Sequence, residues 1–183
     1  MALKIPSPRR LDVEIKEIFA RCIEKLGFVP NVLRAYTLRP DKFHHFRNYS
    51  NALMLGDSGL SKLEREMIAV TVSSLNHCYY CITAHGAAVR QLSGDPSLGE
   101  KVAMNYRAAP LSARQRVMLD FAAKLTETPD RIEEADRQRL RESGFSDEDI
   151  FDICDVTGFY NMTNRLASGV DMQPNPEYHK FAR

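Results

Sequence analysis

Helix-capping patterns recur along this sequence and constrain its fold more than any other feature. A serine three residues before an acidic or amide side chain can cap the first turn of a helix through reciprocal hydrogen bonds. Three such pairs precede stretches that have apolar residues at helical spacing: Ser61 with Glu64, Ser112 with Gln115, and Ser146 with Asp149. The sequence therefore predicts an all-α fold.

A further helix is indicated near the N-terminus by apolar residues at three- and four-residue steps. This stripe runs from Ile15 to Leu26, includes Cys22, and is followed by Gly27. Glycine is common just after the last turn of a helix because it adopts left-handed backbone angles without strain. We therefore expect a helix that ends at Gly27.

The segment that follows Ser61 carries two conflicting patterns. Ile68, Val70 and Val72 alternate as in a strand, but the run from Leu63 to Leu75 is longer than most strands and contains no Gly or Pro. We therefore predict a helix. Its second half is apolar in every direction, which indicates burial on all sides. In a chain of this size, we expect part of that burial to come from another subunit.

No stretch of the chain is suited to be a linker between domains. The longest groups of turn residues are short, and they separate helices: residues 94–96, 108–110 and 126–130. We expect residues 1–183 to form a single domain. The last segment, 173–183, contains two prolines and is expected to be an extended tail.

Composition narrows the classes of partner and compartment. Lys plus Arg number 25 against 24 Asp plus Glu, so the net charge offers no long-range attraction to nucleic acid or to an anionic membrane. No apolar run approaches the length of a membrane span. Four cysteines are too few for a disulfide scaffold. We expect a cytoplasmic protein whose partners are small molecules or other proteins.

Three residues with reactive side chains share one predicted helix face. Cys78, Cys81 and His85 are spaced i, i+3 and i+7, so their side chains should point in the same direction. Asn76 can cap this helix, which would place Cys78 in the first turn, where free backbone N–H groups stabilise a thiolate. We therefore expect a lowered pKa at Cys78. The thiols should be only partly exposed, because the apolar Ile82, Val89 and Leu92 lie on or beside the same face. The two cysteines can cycle between dithiol and disulfide.

This set of residues matches the requirements of hydroperoxide reduction. A thiolate must attack the O–O bond, the departing oxygen needs a proton, and a second thiol must resolve the sulfenic acid. Cys78, Cys81 and His85 supply these groups. Glu66, on the preceding helix, points toward a mixed or buried face, where it could act as a base or relay protons through His85. No cofactor or metal is needed.

The segment LSKLEREMIAVTVSSLNHCYYCITAH resembles the alkylhydroperoxidase D (AhpD) family of the carboxymuconolactone decarboxylase superfamily. The family motif is Glu-x11-Cys-x2-Cys-x3-His, and Glu66, Cys78, Cys81 and His85 match it. The flanking text GFVPNVLRAYTLRP and NPEYH is similar to the peroxidase-related subgroup. The resemblance implies an AhpD-like all-α fold, trimers or hexamers, a hydroperoxide substrate, a dithiol or protein reductant, and a proton relay through Glu66 and His85.

The resemblance also assigns roles to the two cysteines. In well-studied members the second cysteine of the motif attacks peroxide, which implies Cys81, and the first, here Cys78, resolves it. The position at the helix start instead favours Cys78 as the more acidic thiol. The sequence departs from those members at Tyr80, where they carry an additional histidine. Tyr80 is expected to be a packing residue, as is Tyr79.

Two alternatives to a peroxidase fit the same residues. The cysteine pair could serve a redox sensor or disulfide-exchange protein that turns over no peroxide. The Cys, His and Glu set could instead hold a structural zinc ion, although zinc sites usually take ligand pairs from separate elements. Haem attachment is excluded because Ile82 stands where CxxCH requires histidine.

Other polar and thiol residues receive no catalytic role from the sequence. Cys22 and Cys154 lie in apolar helical patterns, where small buried thiols are common. Asn161, Asn164 and Arg165 form a polar cluster on one predicted helix, which suggests a hydrogen-bond network at an interface.

Overall fold

The computed structural model describes residues 1–7 and 9–183. Within these residues the structure is helical and contains no strand, which confirms the all-α prediction. None of the described helices is long and apolar enough to cross a membrane. The α-helices are α1 (Val13–Leu26), α2 (Asn31–Tyr36), α3 (Pro40–Leu55), α4 (Lys62–Leu75), α5 (Tyr79–Ser93), α6 (Leu98–Asn105), α7 (Ala113–Glu127), α8 (Glu134–Glu142) and α9 (Asp147–Gly169).

Local capping determines where several helices begin and end. All three predicted capping boxes are present, at the starts of α4, α7 and α9. In the first, the Ser61 N–H donates to Glu64 Oε2 at 2.8 Å and the Glu64 N–H donates to Ser61 Oγ at 3.2 Å. Helix α1 ends at Gly27, whose φ of 83° is left-handed, as predicted. These signals are local, so the sequence alone is sufficient to identify them.

Helix α4 is the central element of the fold. The strand-like alternation does not produce a strand, and every residue from Met67 to Ser73 is buried. Helices α5, α7 and α9 pack around α4, with α3 and α6 completing the enclosure. The expected contribution of a second subunit to this burial is therefore unnecessary, because the chain's own helices enclose α4.

The turn between α4 and α5 differs from the prediction. Asn76 does not cap α5, because its backbone N–H bonds to the Val72 carbonyl and it ends α4 instead. His77 then adopts a left-handed φ of 52°. As a result Cys78 is the N-cap residue of α5 and lies before its first turn.

The C-terminal segment 173–183 is folded back onto the helices and is not simply extended. It contains a short 3-10 helix, Pro176–His179. Asn175 is buried, accepts a hydrogen bond from the Asn31 N–H at 2.8 Å, and donates to the Val29 carbonyl at 3.0 Å. The Arg90 guanidinium of α5 donates to the Tyr178 carbonyl at 2.8 Å. These bonds attach the segment to α2 and α5, and Tyr178 and Phe181 of the segment line the cavity described below.

Candidate functional site

The predicted acid and imidazole meet between consecutive helices. Glu66 Oε2 of α4 lies 2.6 Å from His85 Nδ1 of α5. Both side chains are largely shielded, with 16% and 23% of their surfaces exposed. Since a carboxylate only accepts hydrogen bonds, Nδ1 carries the proton toward Glu66. This contact fixes the ring and leaves His85 Nε2 as the nitrogen that can exchange a proton with another group.

The two motif thiols are more enclosed than the sequence predicts. Cys78 is 2% exposed and Cys81 is 3% exposed, and both are free thiols. The expectation of partly exposed thiols is therefore wrong. Ala35 of α2 and two residues near the end of the chain, Ala167 and Met172, form an apolar cluster with them. This cover comes from segments distant in sequence, which helical periodicity cannot reveal.

The thiols have very different acidities. The pKa of Cys78 is lowered from 9.0 to about 6, mainly because the Cys81 thiol donates a hydrogen bond to its sulfur. Smaller contributions come from the Cys81 backbone amide and the Asn164 side chain, while burial opposes the shift. The pKa of Cys81 is raised, first by its hydrogen bond to Cys78 and then by burial. The predicted acidity of Cys78 is confirmed, but the neighbouring thiol contributes more than the helix end.

Asn164 of α9 lies beside the two thiols, whereas its sequence pattern suggested a hydrogen-bond network at an interface. It is 1% exposed and lies within the chain. Its Nδ2 donates to Ser73 Oγ at 2.9 Å, and its Oδ1 accepts from Asn76 Nδ2 at 3.0 Å. Hydrogen bonds from Asn164 also lower the pKa of both thiols. The polar cluster on α9 indicated that Asn164 has a hydrogen-bond partner, but it did not indicate that the partners are Ser73 and Asn76.

Tyr160 of α9 also lies beside the motif, and no sequence pattern indicated it. Its hydroxyl lies 3.4 Å from His85 Nδ1, and its ring packs edge-on against the imidazole at 4.6 Å. Burial raises the pKa of Tyr160 well above its usual value, with Glu66 adding to the effect. The hydroxyl therefore stays protonated beside the imidazole.

Tyr80 occupies the position where the AhpD resemblance has a histidine. Its ring is buried, and its hydroxyl accepts a hydrogen bond from the Val32 N–H at 3.1 Å. This bond links the start of α5 to α2. The neighbouring Tyr79 is exposed, and its hydroxyl lies 3.3 Å from His179 Nε2.

A cavity of about 550 Å³ opens onto part of the motif. Cys81, Glu66, His85 and Tyr160 line it, whereas Cys78 does not. The less acidic thiol therefore faces the cavity, and the more acidic thiol lies behind it. The volume falls within the usual range for small-molecule sites.

The remaining cysteines lie outside this arrangement or at its edge. Cys22 is half-buried and lines the cavity, while Cys154 is half-buried elsewhere; burial raises the pKa of each. In the described part of the chain, no group of three or more His, Cys, Asp or Glu side chains is arranged to hold a metal ion. The zinc alternative thus gains no support from the geometry.

Comparison with known proteins adds independent information. The profile of the Carboxymuconolactone decarboxylase family matches residues 40–97. A search of curated protein sequences found no match. An uncharacterized peroxidase-related protein from Silicibacter sp. TM1040 is 62% identical, with all of this chain and 95% of that chain covered and a TM-score of 0.96.

Two further solved structures share the fold. An AhpD-core, peroxidase-related protein from Ralstonia eutropha JMP134 is 43% identical, covering 100% of this chain and 96% of that one, with a TM-score of 0.96. The debrominase Bmp8 is 18% identical over 100% and 97% of the two chains, with a TM-score of 0.82, which shows similarity of fold alone. On the full-length identity to the first two proteins and the family match, this chain belongs to the carboxymuconolactone decarboxylase family, among its AhpD-like, peroxidase-related proteins.

Proposed function

We propose that this protein is a thiol peroxidase that reduces organic hydroperoxides, with Cys81 as the attacking residue and Cys78 as the resolving residue. The main support is that Cys81, Glu66 and His85 line one cavity large enough for a small organic molecule. Cys78 packs with Cys81 outside that cavity, and the Cys81 thiol is the largest cause of its lowered pKa. The peroxidase-related description of two close relatives is consistent with this chemistry.

The thiol pair shares one proton, and its position decides which sulfur is nucleophilic. At rest the Cys81 thiol donates to the Cys78 thiolate. Transfer of that proton along the hydrogen bond leaves a thiol on Cys78 and a thiolate on Cys81, facing the cavity. The acidity of Cys78 thus keeps a negative charge in the pair near neutral pH, and Cys81 uses that charge to attack.

In the first step, the Cys81 thiolate attacks the terminal oxygen of the hydroperoxide. A sulfur–oxygen bond forms, the O–O bond breaks, and the alkoxide leaves. Protonated His85, held at Nδ1 by Glu66, supplies a proton to the alkoxide from Nε2. The products are an alcohol and Cys81 sulfenic acid, so sulfur has lost the two electrons that the peroxide gained.

In the second step, Cys78 resolves the sulfenic acid. Neutral His85 takes the Cys78 proton, and the resulting thiolate attacks the Cys81 sulfur. The disulfide forms, the S–O bond breaks, and the departing hydroxide takes that proton to leave as water. An external dithiol or protein reductant then returns the disulfide to the dithiol by exchange. Asn164 and Ser73, which hydrogen-bond to the pair, hold the sulfurs in place throughout.

Steady-state turnover tests the proposal. With an organic hydroperoxide and a dithiol reductant, we expect the wild-type protein to turn over many times and Cys81→Ser to fall to the uncatalysed rate. Cys154→Ser is the matched control, because it removes a half-buried thiol that does not line the cavity. Wild-type turnover equal to that of Cys81→Ser would reject the peroxidase. Reversible disulfide formation without turnover would instead favour a redox sensor.

Assembly and location are part of the same proposal. The AhpD resemblance implies trimers or hexamers, and large apolar side chains exposed on the single chain, such as Met104, Phe151 and Val13, are candidates for an interface. A cytoplasmic location fits a thiol pair that must be kept reduced between turnovers.

A further inference from the structure

We propose that the cavity is built for the hydroperoxides of long-chain carboxylic acids, with Arg47 as the main partner of the carboxylate. This inference rests on the proposed peroxidase function and specifies its substrate class. It follows from the combination, in one cavity, of a mostly apolar lining, cationic side chains from α1 and α3, and reactive groups from α4 and α5.

The cavity wall suits a long hydrocarbon chain. Large apolar side chains line it from α1, the loop between α1 and α2, α2, α3, α9 and the C-terminal segment: Ile18, Phe28, Leu33, Phe46, Phe159 and Phe181. Along α5 the lining extends from Cys81 to Gln91, which corresponds to about 15 Å of helix axis at the usual rise per residue. A ligand that fills this space is elongated and mostly apolar. A compact hydroperoxide would leave most of the wall in contact with water.

The charges at the cavity favour an anionic group. Arg21 and Lys25 of α1 and Arg47 of α3 all line it, whereas Glu66 is the only acidic residue in the lining among the residues that the structure describes. Glu66 is already engaged by His85. The three cations therefore have no acidic partner in the lining, and an anion could enter without displacing a side chain of the protein.

Arg47 is the best placed of the three cations. It is half-buried, and among the described residues it makes no ion pair and no side-chain hydrogen bond, whereas Arg21 is exposed and lies 4.0 Å from Glu17. Burial dominates the raised pKa of Cys22, but Arg47 and then Arg21 oppose that shift, so both charges lie near this thiol. A half-buried, unpaired guanidinium offers two parallel donors to a carboxylate.

The reactive groups and the cations belong to different helices. Cys81 and His85 belong to α5 and Glu66 to α4, whereas the cations belong to α1 and α3. An acid whose carboxylate binds at Arg47 can extend its chain along the apolar wall and present a hydroperoxide on that chain to Cys81. The methyl ester of the same acid has the same chain and the same peroxide but lacks the charge. The acid and the ester therefore isolate the contribution of the carboxylate.

The experiment compares linoleic acid hydroperoxide with its methyl ester, below the concentrations at which micelles form and at low ionic strength. The readout is the ratio of kcat/KM for acid and ester. We expect wild-type protein to prefer the acid on the order of tenfold, as one charge–charge contact at a partly exposed site allows, and Arg47→Gln to bring the ratio close to one. Lys42→Gln, an exposed cation on the same helix outside the cavity, should keep the wild-type ratio.

The outcomes separate this inference from the peroxidase proposal. Equal rates for acid and ester, or a ratio that Arg47→Gln leaves unchanged, would overturn the carboxylate site. If wild-type protein reduces no hydroperoxide, including tert-butyl hydroperoxide, the peroxidase proposal fails, and calorimetric titration with linoleate then decides the site. Linoleate binding that weakens on the order of tenfold in Arg47→Gln supports the site, and equal binding overturns it.

Discussion

At the level of single residues, the pKa values of Cys78 and Cys81 depend on each other. The Cys81 thiol stabilises the Cys78 thiolate, and the Cys78 sulfur in turn raises the pKa of Cys81. The pair therefore loses its first proton easily and its second with difficulty. This arrangement lets an acidic thiol and the attacking thiol be different residues, so the helix-end prediction and the role implied by the family resemblance are compatible.

We expect one thiolate to form in the pair with a midpoint near pH 6, the value to which the pKa of Cys78 is lowered. Because the thiolate is the nucleophilic form, activity should fall as pH is lowered through this value and level off above it. Ultraviolet thiolate absorbance measures the midpoint, in protein with Cys22 and Cys154 replaced by Ser. Cys81→Ala should raise the midpoint, since it removes the thiol that makes the largest stabilising contact. A wild-type midpoint near 9.0, the ordinary value for cysteine, would contradict this account.

In the proposed mechanism Glu66 acts through His85, which it contacts at 2.6 Å, so Glu66→Gln tests a positioning role. A glutamine amide can donate to Nδ1, which would place the ring proton on Nε2 and disfavour the imidazolium. We expect kcat to fall by about 100-fold, at the lower end for loss of acid–base catalysis, with a changed pH–rate profile and a nearly unchanged KM. Glu148→Gln, an exposed acid on α9, is the control. An unchanged kcat and pH profile in Glu66→Gln would exclude the relay.

Residue type and spacing predicted the candidate site only in part. Glu66 and His85 were identified by spacing, and the structure brings them into contact. Asn164 and Tyr160 were missed because their partners lie far away in sequence: Asn164 bonds to Ser73, and Tyr160 lies against His85. A polar side chain on an apolar helix indicates that a partner exists, but only packing determines which residue it is.

At the level of helices, local signals predicted where most helices start and end. The prediction was wrong where α4 and α5 compete for Asn76. The three capping boxes satisfy their own backbone groups within a single turn, so nothing distant alters them. Asn76 could have capped α5 but ends α4 instead, and its side chain donates to Asn161 and Asn164. The start of α5, and hence the position of Cys78, depends on that competition.

The crossing of α5 and α6 depends on two glycines next to the site. A Cβ atom at Gly99 would lie 2.5 Å from the Gly86 carbonyl oxygen and 3.0 Å from the Gly86 Cα. Both contacts are with backbone, so a rotamer change cannot relieve them. Gly86 directly follows His85, and separating the helices at this point would therefore move the imidazole.

Gly99→Ala should consequently reduce both stability and activity. We expect the free energy of unfolding to fall by about 1–3 kcal/mol, the usual cost of overpacking, and kcat to fall as His85 shifts from Glu66. Chemical denaturation and steady-state rates measure the two effects. Gly158→Ala on α9 is the control, because its Cβ would meet no atom within 4 Å. Its stability should rise by about 0.5–1 kcal/mol. A Gly99→Ala protein as stable as wild type would show that the crossing can relax.

At the level of the whole molecule, the cavity is the feature that the sequence could not predict. Its lining comes from six helices, α1 to α5 and α9, and from the folded-back C-terminal segment, so it exists only in the assembled fold. Periodicity identified α1 as an amphipathic helix, yet gave no indication that Arg21 and Cys22 face a cavity shared with Cys81. The prediction of an extended tail at 173–183 was wrong for the same reason, because the segment bonds to Asn31 and Arg90, which are distant in sequence.

The assembly state belongs to this scale and can be measured directly. We expect light scattering on purified protein to give three or six times the chain mass of 20.8 kDa. Met104, 87% exposed on the single chain, and Phe151, 68% exposed, are candidates for burial in the assembly. Replacing either with a charged residue should shift the mass toward the monomer if it lies at the interface. A wild-type mass of one chain would contradict the expected trimer or hexamer.

The central claim, that Cys81 attacks the peroxide and Cys78 resolves it, is tested most directly by trapping the sulfenic acid. Cys78→Ser and Cys81→Ser proteins are each mixed with one equivalent of an organic hydroperoxide and dimedone, and the adduct is located by mass spectrometry. We predict an adduct on Cys81 in Cys78→Ser protein, and none on Cys78 in Cys81→Ser protein. An adduct on Cys78 together with an unmodified Cys81 would contradict the account.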